Sequence, residues 1–219
     1  MIDLYSGILE VFKKNSNILF GISNISFSEY KSEYKCALVF AIPHTELLSI
    51  NNYKEEKFEH LICEARDYSN SLLEEITILL KKYKIQYYIP PVAQSSEETL
   101  IAPFSFKFAS VNAGIGWIGK NDVLITEKYG PRVRLSAILI NYELPIGTPI
   151  IKSKCPPACN ICINACPYNA LTDHHWSIGA KREELINYQL CNQKRSLYLK
   201  THHRKHSCGL CMVSCPLGL

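Results

Sequence analysis

Eight of the ten cysteines in this 219-residue chain fall in its last 65 residues. They form one tight group, Cys155, Cys159, Cys162 and Cys166, a second, Cys208, Cys211 and Cys215, and a lone member, Cys191. Both groups close on Cys-Pro, at Cys166-Pro167 and Cys215-Pro216. Thiols at this density must be cross-linked, reactive or bound to metal.

The first group reads C-x3-C-x2-C-x3-C-P and the second C-x2-C-x3-C-P, close to the C-x2-C-x2-C-x3-C-P run that holds iron–sulfur cubanes in bacterial ferredoxins. One spacer is a residue long and one cysteine is missing, which Cys191 supplies. Three thiolates on a tight loop grip one cubane, while the cysteine three residues on leaves by a short helix and serves the other cluster. The expected ligands are therefore crossed: Cys155, Cys159, Cys162 and Cys215 for one 4Fe–4S cluster, Cys166, Cys191, Cys208 and Cys211 for the second. Zinc ribbons space their C-x2-4-C pairs by a dozen or more residues, unlike four cysteines within twelve. No amino-terminal h-region or cleavage site marks secretion, so a reducing, cytoplasmic setting is expected and disulfides are not. Cys36 and Cys63 stand apart and read as small buried hydrophobes.

A hydrophobic content of 47% is ample for a packed core. No run approaches the roughly 18 uninterrupted apolar residues of a membrane helix. Residues 1–149 carry 15 Lys/Arg against 17 Asp/Glu, whereas residues 150–219 carry 9 against 3. The basic excess offsets the negative charge of thiolate-bound clusters. It is densest from Lys194 to His206, where Lys194, Arg195, Lys200, Arg204 and Lys205 accompany Tyr198 with no acid. That stretch suits RNA phosphates, an acidic electron donor, or simply a solvated face.

Hydrophobic spacing predicts a helix over residues 3–14 and a doubly buried strand over Cys36–Ile42, stopped by Pro43. It also predicts a long helix from Glu55 to Tyr83, with a break expected near Ser69, and a strand over Ile85–Ile89. A helix over 104–113 and strands over Asp122–Thr126 and Val133–Tyr142 follow. The fold class is α+β: a mixed α/β sandwich over 1–149, a linker at Pro145–Pro149, and a two-cluster ferredoxin-like module over 150–219.

Gly114-Ile115-Gly116-Trp117-Ile118-Gly119 matches G-x-G-x-x-G, but a helix precedes it and a strand follows, the reverse of what dinucleotide binding requires. Together with Lys107-Phe108-Ala109, Ala113, Lys120-Asn121, Leu124-Ile125-Thr126, Tyr129-Gly130, Leu135 and the eight cysteines, it resembles the epoxyqueuosine reductase family. The likeness runs from about residue 100 to 219, with weaker similarity at Cys36–Pro43 and Arg66-Asp67-Tyr68. It implies kinship with cobalamin-dependent reductive dehalogenases and a cobalamin, fed by the two clusters, that reduces an epoxide on tRNA. Gly114, Gly116, Trp117, Gly119, Lys120 and Asn121 would then border the macrocycle, the glycines through close backbone approach. The alternative for this turn is a tight connection with Trp117 in the core.

Two departures qualify the implied reaction. Family enzymes place an aspartate proton donor fourteen residues before the first glycine of this turn; here that position is Leu100, which donates nothing. Glu97, Glu98, Tyr87 and Tyr88 are the nearby substitutes. Family enzymes also continue into a helical-repeat domain that helps grip tRNA, whereas this sequence ends four residues after Cys215 and reads as a short form. Two functions follow as expectations: a cobalamin-dependent iron–sulfur reductase served by a ferredoxin, flavodoxin or reductase, or a ferredoxin-like electron carrier that docks a partner enzyme.

Overall fold

The computed structural model describes residues 3–91, 102–201 and 208–219. The chain divides into two compact units: unit 1 comprises residues 1–43, 65–115 and 134–149, and unit 2 comprises residues 44–64, 116–133 and 150–219. The linker expected at 145–149 thus belongs to unit 1, and two segments that precede it, 44–64 and 116–133, join the cysteine-rich region in unit 2.

Unit 1 is built on a four-stranded sheet in the order β1 (Leu19–Ser23), β2 (Cys36–Pro43), β6 (Val133–Ile140), β3 (Tyr87–Tyr88). β1 pairs antiparallel with β2, from Leu19 opposite Ala41 to Ser23 opposite Ala37. β3 pairs antiparallel with β6. All eight residues of β2 are buried, because its two faces meet different cores. Cys36, Leu38, Phe40 and Ile42 point to one core, together with Leu4, Ile8, Val11 and Phe12 of α1 (Leu4–Lys14) and Ala65, Leu72, Leu73, Ile76 and Leu80 of α2 (Glu55–Lys82). Ala37 and Val39 point to the other, with Phe104 and with Ala109 of α3 (Phe106–Asn112). The period of two sorts side chains between faces, and helices on both faces explain the uninterrupted apolar run. The α+β expectation holds for this architecture.

α1 begins where Asp3 accepts a hydrogen bond from the Ser6 amide at 2.7 Å and ends on Lys13 and Lys14, charges that suit the two ends of the helix dipole. α2 runs unbroken through the expected interruption. Ser71 donates its hydroxyl back to the Asp67 carbonyl, 3.3 Å away, and so spares the helix a competing local bond. β3 is shorter than the strand expected over 85–89: Lys84 adopts φ +57° and the Ile85 amide returns to the Leu80 carbonyl at 3.0 Å, so Ile85 closes the helix. β1 had no assigned element in the sequence, where Gly21 and flanking polar residues dilute its pattern. Cys36 is 1% exposed and gives its thiol proton to the Tyr142 carbonyl, and burial pushes its pKa up to about 12.

Unit 2 is irregular. The hairpin β4 (Trp117–Ile118) and β5 (Leu124–Ile125) pairs Trp117 with Ile125 and Ile118 with Leu124. Short helices α4 (Ile161–Asn164), α5 (Arg182–Leu185) and α7 (Leu210–Val213) accompany the longer α6 (Tyr188–Thr201). Its apolar clusters are small, one formed by Leu48, Phe58, Leu61, Ile62 and Val213, another by Ala170, Leu171 and Ile186. Among the described residues no helix is long and apolar enough to cross a membrane.

Candidate metal centres

The two cysteine groups fold into the same local form. Cys162 lies on α4, with Cys159 just before it and Cys166 just after; Cys211 lies on α7, with Cys208 before and Cys215 after. Each helix is a single turn closed by a tight bond, Cys166 N to Ile163 O at 3.1 Å and Cys215 N to Met212 O at 3.2 Å. The proline that follows has no N–H and cannot continue the helix. The last cysteine of each group is thereby turned away from its neighbours.

A small cavity of about 20 Å³ is lined by Cys155, Cys159, Cys162 and Cys215 together with Lys120, Asn121 and Ile125. Burial pushes the Cys162 thiol up to about 11, and the other three members of the set push in the same direction. Burial likewise raises Cys215, with further contributions from Cys155 and Cys159. Cys166, Cys191 and Cys211 pack together beside Ala170, Leu171 and Ile186. Cys211 is raised by burial and then by Cys208, Cys191, Cys162 and Cys166; Cys191 is raised by burial, Cys208 and Cys166 and lowered by Arg195 and Arg182. Cys215 thus lies with Cys155, Cys159 and Cys162, and Cys166 with Cys191 and Cys211.

Buried thiols that raise one another's pKa resist ionisation until a cation joins them, whereupon thiolate ligands deprotonate outright. The donor set in each place suits an iron–sulfur core. Among the described residues no three His, Cys, Asp or Glu side chains converge as a single-ion site.

The glycine turn braces these loops. Trp117, Ile125 and Cys215 form one apolar cluster. Lys120, only 1% exposed, donates to the Pro157 carbonyl at 2.9 Å, to Asn160 Oδ1 at 3.3 Å and to Asp173 Oδ1 at 2.5 Å. Asn121 donates Nδ2 to the Cys211 carbonyl at 2.9 Å. A side chain at Gly116 would fall on the Ile125 carbonyl, and Gly114 holds φ +75° with its missing Cβ facing Thr148 O at 2.7 Å. The sequence expectation had these six residues bordering a macrocycle. As placed, Gly116, Trp117, Gly119, Lys120 and Asn121 are buried; the Lys120 ammonium and Asn121 Nδ2 have partners inside unit 2, while Asn121 Oδ1 and Trp117 Nε1 are buried with none among the described residues. The glycines answer to the chain's own close packing.

Arg132 carries no signal in the sequence patterns read above. It is 1% exposed, and its guanidinium donates to the carbonyls of Leu48 at 2.5 Å, Leu217 at 2.9 Å, Val213 at 3.2 Å and Cys215 at 2.6 Å. Its partners are all main-chain atoms, which leave no residue-type signature. Tyr53 similarly donates its hydroxyl to the Cys208 carbonyl at 2.7 Å.

Of the basic stretch, Lys194, Arg195 and Lys200 lie on α6, and Arg195 donates to Asn192 Oδ1 at 2.6 Å while acting on Cys191. Arg204, Lys205 and His206 lie outside the described residues, as do Glu97, Glu98 and Leu100. Tyr87 and Tyr88 are half-buried on β3, where Tyr88 stands against Tyr30 with ring centroids 5.2 Å apart.

No family model matches the chain. An epoxyqueuosine reductase of Listeria monocytogenes is 35% identical over 108 residues, which is 48% of this chain and 27% of that protein. One of Leadbetterella byssophila is 25% identical over 174 residues, covering 78% and 54%. The chain thus spans about half or less of these curated relatives. Among solved structures, an epoxyqueuosine reductase with an epoxyqueuosine-modified tRNA stem loop superposes with a TM-score of 0.62 at 17% identity, over 99% of this chain and 66% of that one. The catabolic reductive dehalogenase NpRdhA gives 0.63 at 16% identity, over 92% and 30%. The resemblance read from the sequence is borne out: this chain is a relative of the epoxyqueuosine reductases, and its fold is one they share with the reductive dehalogenases.

Proposed function

We propose that this protein is an iron–sulfur reductase whose unit 2 is a two-cluster, ferredoxin-like module. Cys155, Cys159, Cys162 and Cys215 would hold one 4Fe–4S cluster and Cys166, Cys191, Cys208 and Cys211 the other. The observation that carries the reading is the cavity that draws Cys215 out of its own sequence group to Cys155, Cys159 and Cys162, with Cys166 packed beside Cys191 and Cys211. When bound, such clusters supply one-electron transfer at potentials set by net charge, hydrogen bonds to sulfur and exposure. The chain's own residues do the rest. The single-turn helices α4 and α7 fix the sulfur positions, Lys120 and Asn121 tie the two cysteine groups to one hairpin, and the apolar wall of Trp117, Ile125 and Leu217 keeps water from the first set.

The curated relatives are named for reducing epoxyqueuosine, and a solved neighbour is described as supporting B12-dependent dehalogenation. From these comes the fuller form of the proposal: a cobalamin that takes electrons from the module and reduces an epoxide on tRNA, with Lys194, Arg195 and Lys200 near the RNA. The turn from Gly114 to Asn121 enters as the brace of the cysteine loops through the Lys120 ammonium and Asn121 Nδ2, and no step of a cobalamin reaction is assigned to it. A second reading, an electron carrier that docks a partner enzyme without cobalamin, gains support from that engagement of Lys120 and Asn121.

Anaerobic reconstitution tests the proposal. Iron and sulfide analysis should give two cubanes per chain. Cobalamin titration followed by single turnover on an epoxyqueuosine-bearing stem loop separates the two readings: a shifted corrinoid spectrum with product supports the reductase, and reducible clusters without either support the carrier. Absence of both clusters overturns both.

A further inference from the structure

Arg132 is a buried cation with no anion beside it. Its donors are satisfied by four main-chain carbonyls, and among the described residues no carboxylate stands at ion-pair distance. Carbonyl dipoles satisfy hydrogen bonds but leave the full charge of the guanidinium uncompensated, and burying such a charge is costly unless an opposite charge is near. Three of its four acceptors, Val213, Cys215 and Leu217, belong to the loop that carries Cys215. Burial depresses the Arg132 pKa while Cys215 acts in the opposite direction.

A second cation lies on the same cavity. Lys120 lines it together with the four cysteines and is 1% exposed, whereas the side chain of its partner Asp173 is 49% exposed. Water screens the carboxylate far more than the ammonium, so the pair is not neutral as felt from the cavity. Among the described residues the other cysteine set is faced by two arginines, both acting on Cys191. Of the two arginines acting on Cys191, Arg182 is 41% exposed and paired with Asp122 at 3.0 Å, and Arg195 is half-buried.

We propose that Arg132, seconded by Lys120, is the built-in counter-charge of the Cys155, Cys159, Cys162 and Cys215 centre and holds it at a higher reduction potential than the Cys166, Cys191, Cys208 and Cys211 centre. This rests on the two-cluster reading above. Reduction adds one electron to a cluster and no proton, so a fixed cation in a poorly screened site favours the reduced form. Electrons entering the module then collect on the first centre, which makes it the one from which an acceptor is served.

The test is a redox titration of the reconstituted protein followed by electron paramagnetic resonance. Two midpoints are expected, and the higher one should vanish in Cys159→Ser while the lower vanishes in Cys191→Ser. Arg132→Gln should lower the higher midpoint by about tenfold in the reduced-to-oxidised ratio, which is about 59 mV for one electron, and Arg132→Lys should restore most of it. Asp173→Asn, an exposed and nearly isosteric change, should raise the same midpoint and leave the other in place; it decides the matter if Arg132→Gln does not fold. A purely structural role would not move the potential in opposite directions. The proposal is overturned if the higher midpoint belongs to the Cys191 set, or if Asp173→Asn moves both midpoints equally or neither. Fewer than two cubanes in the unaltered protein would instead overturn the reading beneath it, before any potential is measured.

Discussion

The side-chain amide of Asn121 donates to the main-chain carbonyl of Cys211 across 2.9 Å, and the residue before it, Lys120, reaches the Pro157 carbonyl at the same distance. Two neighbours on one hairpin thus fasten two cysteine groups that lie some fifty residues apart in sequence.

Asn121→Ala should therefore loosen α7 without touching a thiol. Losing a buried hydrogen bond and leaving its acceptor unsatisfied costs about 1–3 kcal/mol, measurable by anaerobic denaturant unfolding. The Cys208 and Cys211 signals should broaden while those of Cys155 and Cys159 keep their shape in paramagnetic NMR.

Replacing Cys191 or Cys166 by serine should impair the same cluster, although the two residues come from different parts of the sequence. About half of the iron and sulfide should be lost in each single variant and little more in the double variant. Pairing of Cys166 with Cys155, Cys159 and Cys162, seen as additive loss in the double variant, would refute the crossed ligand sets.

Gly116→Ala should be among the least tolerated small substitutions, because its methyl group would meet the Ile125 carbonyl, a main-chain atom held in the β4–β5 pair. Relief requires opening that hairpin, so the loss should appear both as a lower Tm and as reduced cluster loading.

Phe40 is fully buried at the centre of β2. Phe40→Ala should cost about 3–5 kcal/mol, read as a shift in the unfolding midpoint. The loss comes from the unit 1 core alone, so cysteine-bound iron should be retained at temperatures below the new transition.

Stability should fall in alkali partly through Cys36. Its thiol is raised from 9.0 to about 12 in the folded chain by burial, so between these values the unfolded chain releases a proton that the folded chain keeps. Folding stability contributed by this group is complete below pH 9 and is lost as pH rises towards 12. Unfolding curves of the apoprotein against pH should be flatter for Cys36→Ala than for the unaltered chain.

The cysteine spacing, the apolar run of β2 and the periodicity of α1 and α2 are local patterns, and each was legible because one physical rule acts over a few residues. Alternation reveals burial on both faces of a strand, threes and fours reveal a helix face, and Cys-Pro reveals where a loop must turn. The same rules missed β1, drew β3 too long and broke α2 wrongly, because Ser71 bonding back to Asp67 and Lys84 closing the helix are outcomes of local geometry that composition does not record.

What only the tertiary structure decided is the company these residues keep. Which polar atoms of the glycine turn find partners, Lys120 Nζ and Asn121 Nδ2 but not Asn121 Oδ1, is set by the cysteine loops packed on it. Arg132 was one basic residue among 24, and its importance lies in carbonyls contributed by Leu48, Val213, Cys215 and Leu217, distant in the chain and indifferent to side-chain type. A sequence specifies which groups carry charge; burial decides which charges water can no longer screen, and that follows from packing alone.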